Sequence, residues 1–386
     1  MISTTCLLVL AACRQAEVPP TVRPETAYPA LLIKVDSLTE VDATAAMQLI
    51  DSLQPAMAKA GERELRYYQL LTVKAQEAAG KRHSYTSFMR DVLDYYQQEG
   101  DSRLLPEAYY LMGCVWRDAN DLPQALECFQ EALKRTEVLP RRSLIYRQMG
   151  QLLEKQRLYD NALTNFTQAY EADSLLRHAS GMVANLISMG RLYHQRKASD
   201  TALHYFQKAE RIADAQSSLP LKQLIAIETA EMQLEQKAYN EASQTIQPLL
   251  SHLTDDIRYR VYAIAAEVYF AQWRYPLSAR YCNELILYGT ESQRLRAHQL
   301  LAQIAIRRKD TQTALVALNN YEGSLNRLLE TQAVETMAEM NSLYNYQQAL
   351  KEKEELAVKG ERKSKTIAWL TALIAASGLA GMVAYG

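Results

Sequence analysis

Apolar residues recur along the chain with helical spacing. From Gly113, twelve residues on is Ala125, four more is Phe129 and three more is Ala132, with Tyr109 and Met112 before the glycine and Trp116 after it. The same register returns from Gly150 through Ala162, Phe166 and Ala169, led by Tyr146 and Met149. It returns again from Gly190 through Ala202, Phe206 and Ala209, led by Leu186 and Met189 and followed by Tyr193. Apolar positions three and four apart share one face of an α-helix, so each unit predicts two helices joined by a short turn. Glycine and alanine let the paired helices approach, and large residues fill the space beside them. Three of the chain's five phenylalanines take the same place in the pattern.

Fainter copies follow at Ala230, Ala242 and Ile246, at Glu267 and Ala279, and at Ala302, Ala314 and Leu318. Upstream, 65–79 and 85–98 predict another helix pair, and 37–59 a leading helix with a stripe of Leu38, Val41, Ala45, Leu49 and Leu53. Beyond Gly323 the pattern becomes one long helix with Leu329, Leu343, Leu350 and Ala357 on seven-residue steps and Ala333 and Met340 between them. Thr336, Gln347 and Glu354 interrupt that seam, which leaves open a coiled-coil homodimer or a single helix folded against the last repeat.

The three strong signatures resemble the tetratricopeptide repeat, a helix-turn-helix unit of about 34 residues. The resemblance implies an all-α fold: a TPR-like α-solenoid of roughly seven antiparallel helix pairs over 37–322. A juxtamembrane helix at 323–365 and a transmembrane helix at 366–386 are expected to follow.

Both ends point to a membrane. Residues 1–13 carry a short apolar run ending in Leu10-Ala11-Ala12-Cys13, which resembles a bacterial lipobox and implies lipid on Cys13, although the basic residues that normally precede such a run are missing. Pro19, Pro20, Pro24 and Pro29 make 14–36 an extended Pro-rich linker. Residues 367–385 carry no formal charge and, at about 1.5 Å per residue, are long enough to cross a bilayer, with Trp369 and Tyr385 near the ends. Lys359, Arg362, Lys363 and Lys365 would by the positive-inside rule hold the repeats in the cytoplasm, whereas an export signal sends them to the periplasm. The signal carries more weight because the rule compares two flanks and the far one is absent. The expectation is a single-span inner-membrane protein with periplasmic repeats, and the stop at the far edge of the span suggests that the reading frame, or the sequence, is truncated.

Composition narrows the chemistry. A net charge of −1 over 386 residues offers no bulk field for nucleic acid. Three of the five cysteines lie beyond residue 13 and none has zinc-site spacing, so no metal and no cofactor are expected. Cys114 and Cys128 fall in the two helices of one unit, as free thiols or as a disulfide. His83, His178, His194, His204, His252 and His298 are scattered. No phosphate-binding glycine loop, HExxH or GxSxG is present, and the chain is read as non-enzymatic.

A repeat superhelix instead offers a concave face lined by the first helix of each pair, suited to a protein or peptide ligand. Residues there that the signature leaves outward are Tyr110, Arg117, Arg147, Gln151, Glu154, Arg191, His194, Glu231 and Glu235. Arginine and tyrosine are the commonest binding anchors, which favours Tyr110, Arg117, Arg147 and Arg191.

The whole layout also resembles a family of Bacteroidetes membrane-anchored TPR proteins. Tyr67-Tyr68, Tyr95-Tyr96, the stretch from Glu107 to Leu133 and the string SLYNYQQALKEKE carry that resemblance. It implies the sensory region of a transcriptional regulator or histidine kinase receptor, but no output module lies within these residues. The leading expectation is a membrane-anchored, non-catalytic scaffold, with the truncated receptor as the alternative.

Overall fold

The computed structural model describes residues 28–83, 86–99 and 103–384, with side chains described as far as Lys365 except at 86, 87 and 99. Among them are sixteen α-helices and no strand: α1 (Ala30–Val41), α2 (Ala43–Met57), α3 (Glu62–Ala78), α4 (Thr86–Glu99), α5 (Leu105–Asp118), α6 (Leu122–Lys134), α7 (Leu139–Lys155), α8 (Tyr159–Leu175), α9 (Ala179–Gln195), α10 (Ser199–Ala215), α11 (Leu219–Glu235), α12 (Tyr239–Ser251), α13 (Asp255–Ala271), α14 (Tyr275–Tyr288), α15 (Glu291–Arg307) and α16 (Thr311–Ala384). They form two compact units that divide between Val115 and Trp116. The signal, the lipobox with Cys13 and most of the Pro-rich linker lie outside the described residues.

In the first unit, the single leading helix expected over 37–59 is two. Helix α1 starts at Ala30, inside the segment read as extended, and the chain breaks at Asp42, whose carboxylate caps α2 by accepting the Ala45 N–H at 2.9 Å. The break turns the predicted stripe: Val41 is 86% exposed, while Leu32, Val35, Ala46 and Ile50 go inward with Leu53. Asp36 then ties α1 to α3, accepting from Tyr67 Oη at 2.9 Å and pairing with Lys74 at 2.5 Å. Burial and the Asp36 charge push the Tyr67 phenol well above its ordinary range.

The second unit is built by the signature. There Gly150, Gly190 and the alanines and phenylalanines of all three signatures are buried; Gly113, in the first unit, is buried as well. A Cβ on Gly150 would stand 2.8 Å from the Phe166 ring, so the missing atom is what lets α7 and α8 close. The first helices end in tight turns through a left-handed residue, Asn120, Arg157, Lys197, Lys237, Trp273 and Lys309 in successive pairs. At Arg157 its N–H reaches Glu154 C=O at 2.9 Å and the next N–H reaches Leu153 C=O at 2.9 Å, a Schellman closure without glycine.

One expected register is displaced by a residue. Ala266, Ser278 and Cys282 hold the contact positions rather than Glu267 and Ala279, and the buried Ser278 Oγ donates to Ala266 C=O at 2.7 Å. The serine hydroxyl satisfies itself on the facing backbone and so serves as a small residue, while Glu267 turns outward. In the last pair Ala302 and Ala314 are buried, but Leu318 in the phenylalanine position is 43% exposed, since no further pair stacks over it among the described residues.

Helix α16 has 74 residues, about 110 Å at 1.5 Å per residue. It completes the last pair against α15 and farther on packs against α6. There Ser342 is 2% exposed and its Oγ accepts the Leu122 N–H at 3.0 Å, supplying an acceptor to one of the orphan donors at the start of α6. Lys155 and Glu339 pair alongside at 3.5 Å. The heptad residues Leu329, Met340 and Leu350 are exposed, so the docked face is not the expected seam. Among the described residues no helix is long and apolar enough to cross a membrane. The expected span falls on 366–386, whose side chains lie outside those described.

Candidate functional site: the inner face of the repeats

In the second unit the first helices of successive pairs pack on one another, α7 on α9, α9 on α11, α11 on α13 and α13 on α15, and the second helices do not do so to the same degree. The array therefore curves with its first helices inside. Across them runs a chain of charged groups. Arg191 on α9 lies between Glu154 on α7 at 3.6 Å and Glu228 on α11 at 3.8 Å. Arg260 on α13 holds Glu228 at 3.0 Å and both oxygens of Glu231, at 3.1 and 2.7 Å. Arg296 on α15 makes a fork on Glu267 at 2.8 and 2.7 Å, and His194 reaches Glu235 at 2.7 Å.

These contacts set the electrostatics. Burial raises the Glu154 carboxyl, with Arg191 opposing and Glu228 adding to the rise. At Arg260 burial pulls the pKa down, but Glu231 and Glu228 outweigh it and the net direction is up. Arg191 is the weakly held member: both ion pairs are long, and its buried Nε has no hydrogen-bond partner.

The predicted groove residues separate on inspection. Tyr110 is 2% exposed, and so is a packed side chain rather than an outward one. Arg117 is taken up by Asp118 at 2.9 Å and Gln148 at 2.7 Å. Arg147 is committed inward: its Nη2 donates to Asp173 at 2.9 Å and its Nε to Asn185 at 3.2 Å, while Asn185 also donates to Asp173 at 2.8 Å. Asp173 is 1% exposed, so Arg147 neutralises a buried carboxylate. Gln151, Glu154, Arg191, His194, Glu231 and Glu235 do share the inner helices. Asp173, Asn185, Glu228 and Arg260 belong to the network and were not singled out by sequence; the visible signal for Glu228 was a carboxylate two residues before the small contact residue Ala230.

No group of metal-ligating side chains occurs among the described residues. Cys114 is buried; Cys128 and Cys282 are buried free thiols, which burial pushes up to about 12 and so keeps unreactive. What the inner face offers is a row of forked donors and carboxylates, able to hydrogen-bond an extended chain.

The geometry defines an all-α solenoid of tetratricopeptide type. Residues 106–137 match the tetratricopeptide repeat as a sequence family. The chain thus carries a tetratricopeptide repeat over these residues, within an array of TPR-like helix pairs. None of the curated proteins matches the sequence. Among solved structures, the chain is similar to the apo form of RapI, with 12% identity, 78% of this chain and 98% of that one covered and a TM-score of 0.53. It is also similar to PH0952 from Pyrococcus horikoshii, a signal transduction ATPase with a tetratricopeptide repeat sensor, at 12% identity, coverage of 81% and 52%, and a TM-score of 0.58. A chain of the APC/C hetero-tetramer Cut9–Hcn1 aligns at 12% identity, coverage of 80% and 55%, and a TM-score of 0.51. The chain thus spans about half the length of the latter two. At this identity the likeness shows the fold.

Proposed function

We propose that the repeats form a scaffold whose inner face binds, without catalysis there, an extended protein or peptide segment. The observation that carries this reading is Arg191, held loosely between Glu154 and Glu228 with an unpartnered Nε, where its neighbours Arg260 and Arg296 are fully engaged. A ligand oxygen that draws Arg191 out breaks little. In the same reading, lipid on Cys13 and a span over 366–386 hold the scaffold at the inner membrane with its repeats in the periplasm. The exposed Met340 face of α16 is then free to pair with a second copy.

A photo-cross-linking residue at Gln151, on the inner helix α7, should capture a partner in membranes, whereas one at Gln168, exposed on the outer helix α8, should not. Equal capture at both positions would count against an inner-face site. The second reading, the sensory region of a receptor, is favoured by the likeness to PH0952, whose repeats are described as a sensor. Coding sequence beyond Gly386 that specifies an output domain supports it; an authentic stop codon removes it.

A further inference from the structure

The junction between α8 and α9 assembles a nucleophile, a base and an acid that the scaffold reading does not use. Ser180 Oγ lies 2.8 Å from His178 Nε2, and His178 Nδ1 lies 3.0 Å from Asp173 Oδ1. The proton positions follow from the partners. In the neutral ring with Nδ1–H directed at the Asp173 carboxylate, Nε2 presents a lone pair and the Ser180 hydroxyl donates to it. This is the order of roles in a Ser–His–Asp relay.

The relay is fixed from behind. The other oxygen of Asp173 accepts from Arg147 at 2.9 Å and from Asn185 at 2.8 Å, so the carboxylate is held in place and cannot rotate away. The His178 backbone is bound to the same residue, its N–H donating to Asp173 C=O at 2.9 Å. Gly181 completes the fit: a Cβ there would collide with the Asp173 carboxylate and stand 2.6 Å from His178 Nδ1. Structural anchoring alone would need only Asp173 and Arg147. It does not account for a serine hydroxyl aligned on the far nitrogen of the ring.

The front is open. The His178 side chain is 53% exposed and Ser180 is exposed. The first backbone bond of α9 runs from Met182 N–H to His178 C=O, which leaves the N–H groups of Ala179, Ser180 and Gly181 without an acceptor inside the helix. Such donors suit an oxygen that gains negative charge next to the serine.

We propose that Ser180 is an activated nucleophile that accepts an acyl group from small activated esters, independently of any ligand on the inner face. Ser180 Oγ bonds to the carbonyl carbon as its proton passes to His178 Nε2. The bond to the leaving oxygen breaks, and that oxygen takes the proton from His178. The product is an ester on Ser180 and a free alcohol, and water reverses the sequence to release the acid. Because His178 and Ser180 are both exposed, reactivity rather than recognition sets the choice of ester.

The test uses the full chain with a fluorophosphonate probe and with p-nitrophenyl acetate, followed by peptide mapping. The adduct should lie on Ser180 and form about 100-fold faster than on Ser217, an exposed serine in an equivalent turn without a histidine partner. His178→Gln should lower the rate on Ser180 to that of Ser217, and Ser180→Ala should remove the adduct. Gly181→Ala should slow labelling with Ser180 intact. Equal labelling of Ser180 and Ser217, or a rate unchanged in a folded His178→Gln variant, overturns the proposal.

Discussion

Gly190 on α9 faces the ring of Phe206 on α10 so closely that a Cβ on the glycine would stand 2.5 Å from the ring carbon Cε1. Alanine in a helix interior normally gains up to about 1 kcal/mol over glycine. Here Phe206 is fully enclosed and its ring has nowhere to move, so overpacking of about 1–3 kcal/mol should win. Gly190→Ala is expected to lower stability to urea, and Gly190→Ala with Phe206→Leu should recover part of the loss. A stabilised single variant would mean that the helices can spread at no cost.

Arg147 gives a second contrast, because the buried Asp173 depends on it. Arg147→Ala should cost about 3 kcal/mol by leaving the carboxylate without its cation, and Asp173→Asn in the same chain should return much of it. Thermal unfolding of both variants separates this from a role in ligand contact, in which the fold would be unaffected and only binding would fall.

Ser342 predicts a local effect far from itself in sequence. In Ser342→Ala the Leu122 amide loses its acceptor, at about 1–3 kcal/mol for a buried donor left unpaired. Hydrogen exchange at Leu122 should accelerate in that variant, while amides in the middle of α9 keep their protection. Unchanged exchange at Leu122 would mean that α16 does not rest on α6 in solution.

The pH dependence from Glu154 has a definite sign. Burial raises its carboxyl above the ordinary 4.5, so between those two values the folded chain holds more protons than the unfolded one. Its contribution to stability therefore declines as pH rises through that window and stays unfavourable above it. Glu154→Gln should be more stable than the parent at pH 7 and should lose the decline. Chemical denaturation at pH 4, 5, 6 and 7 measures both, and a parent whose advantage grows with pH would contradict the burial argument.

The strong repeats were legible because each small residue has one job, at a contact where a larger side chain does not fit; Gly150, Ala162 and Phe166 state a distance as much as a composition. The register failed at Glu267 because Ser278 stands in for an alanine by bonding its hydroxyl to Ala266 C=O, and no pattern of apolar letters shows that. The leading helix was read as continuous since Asp42 acts as a cap only through the geometry it adopts. Arg147 looked available on its helix face because its partners, Asp173 and Asn185, come from two other helices. The left-handed turns at Arg157, Lys197 and Lys237 carry no glycine, so they left no mark to read.

The docking of α16 on α6 changes how the array answers to damage. In an open stack of repeats each end frays by itself, and loss of the last pair is felt only by its neighbour. Here one helix links the last pair to α6, so removal of α16 exposes α6 as well as α15. The repeats between them are closed into a ring of mutual dependence, in which a perturbation at one end has two directions in which to travel.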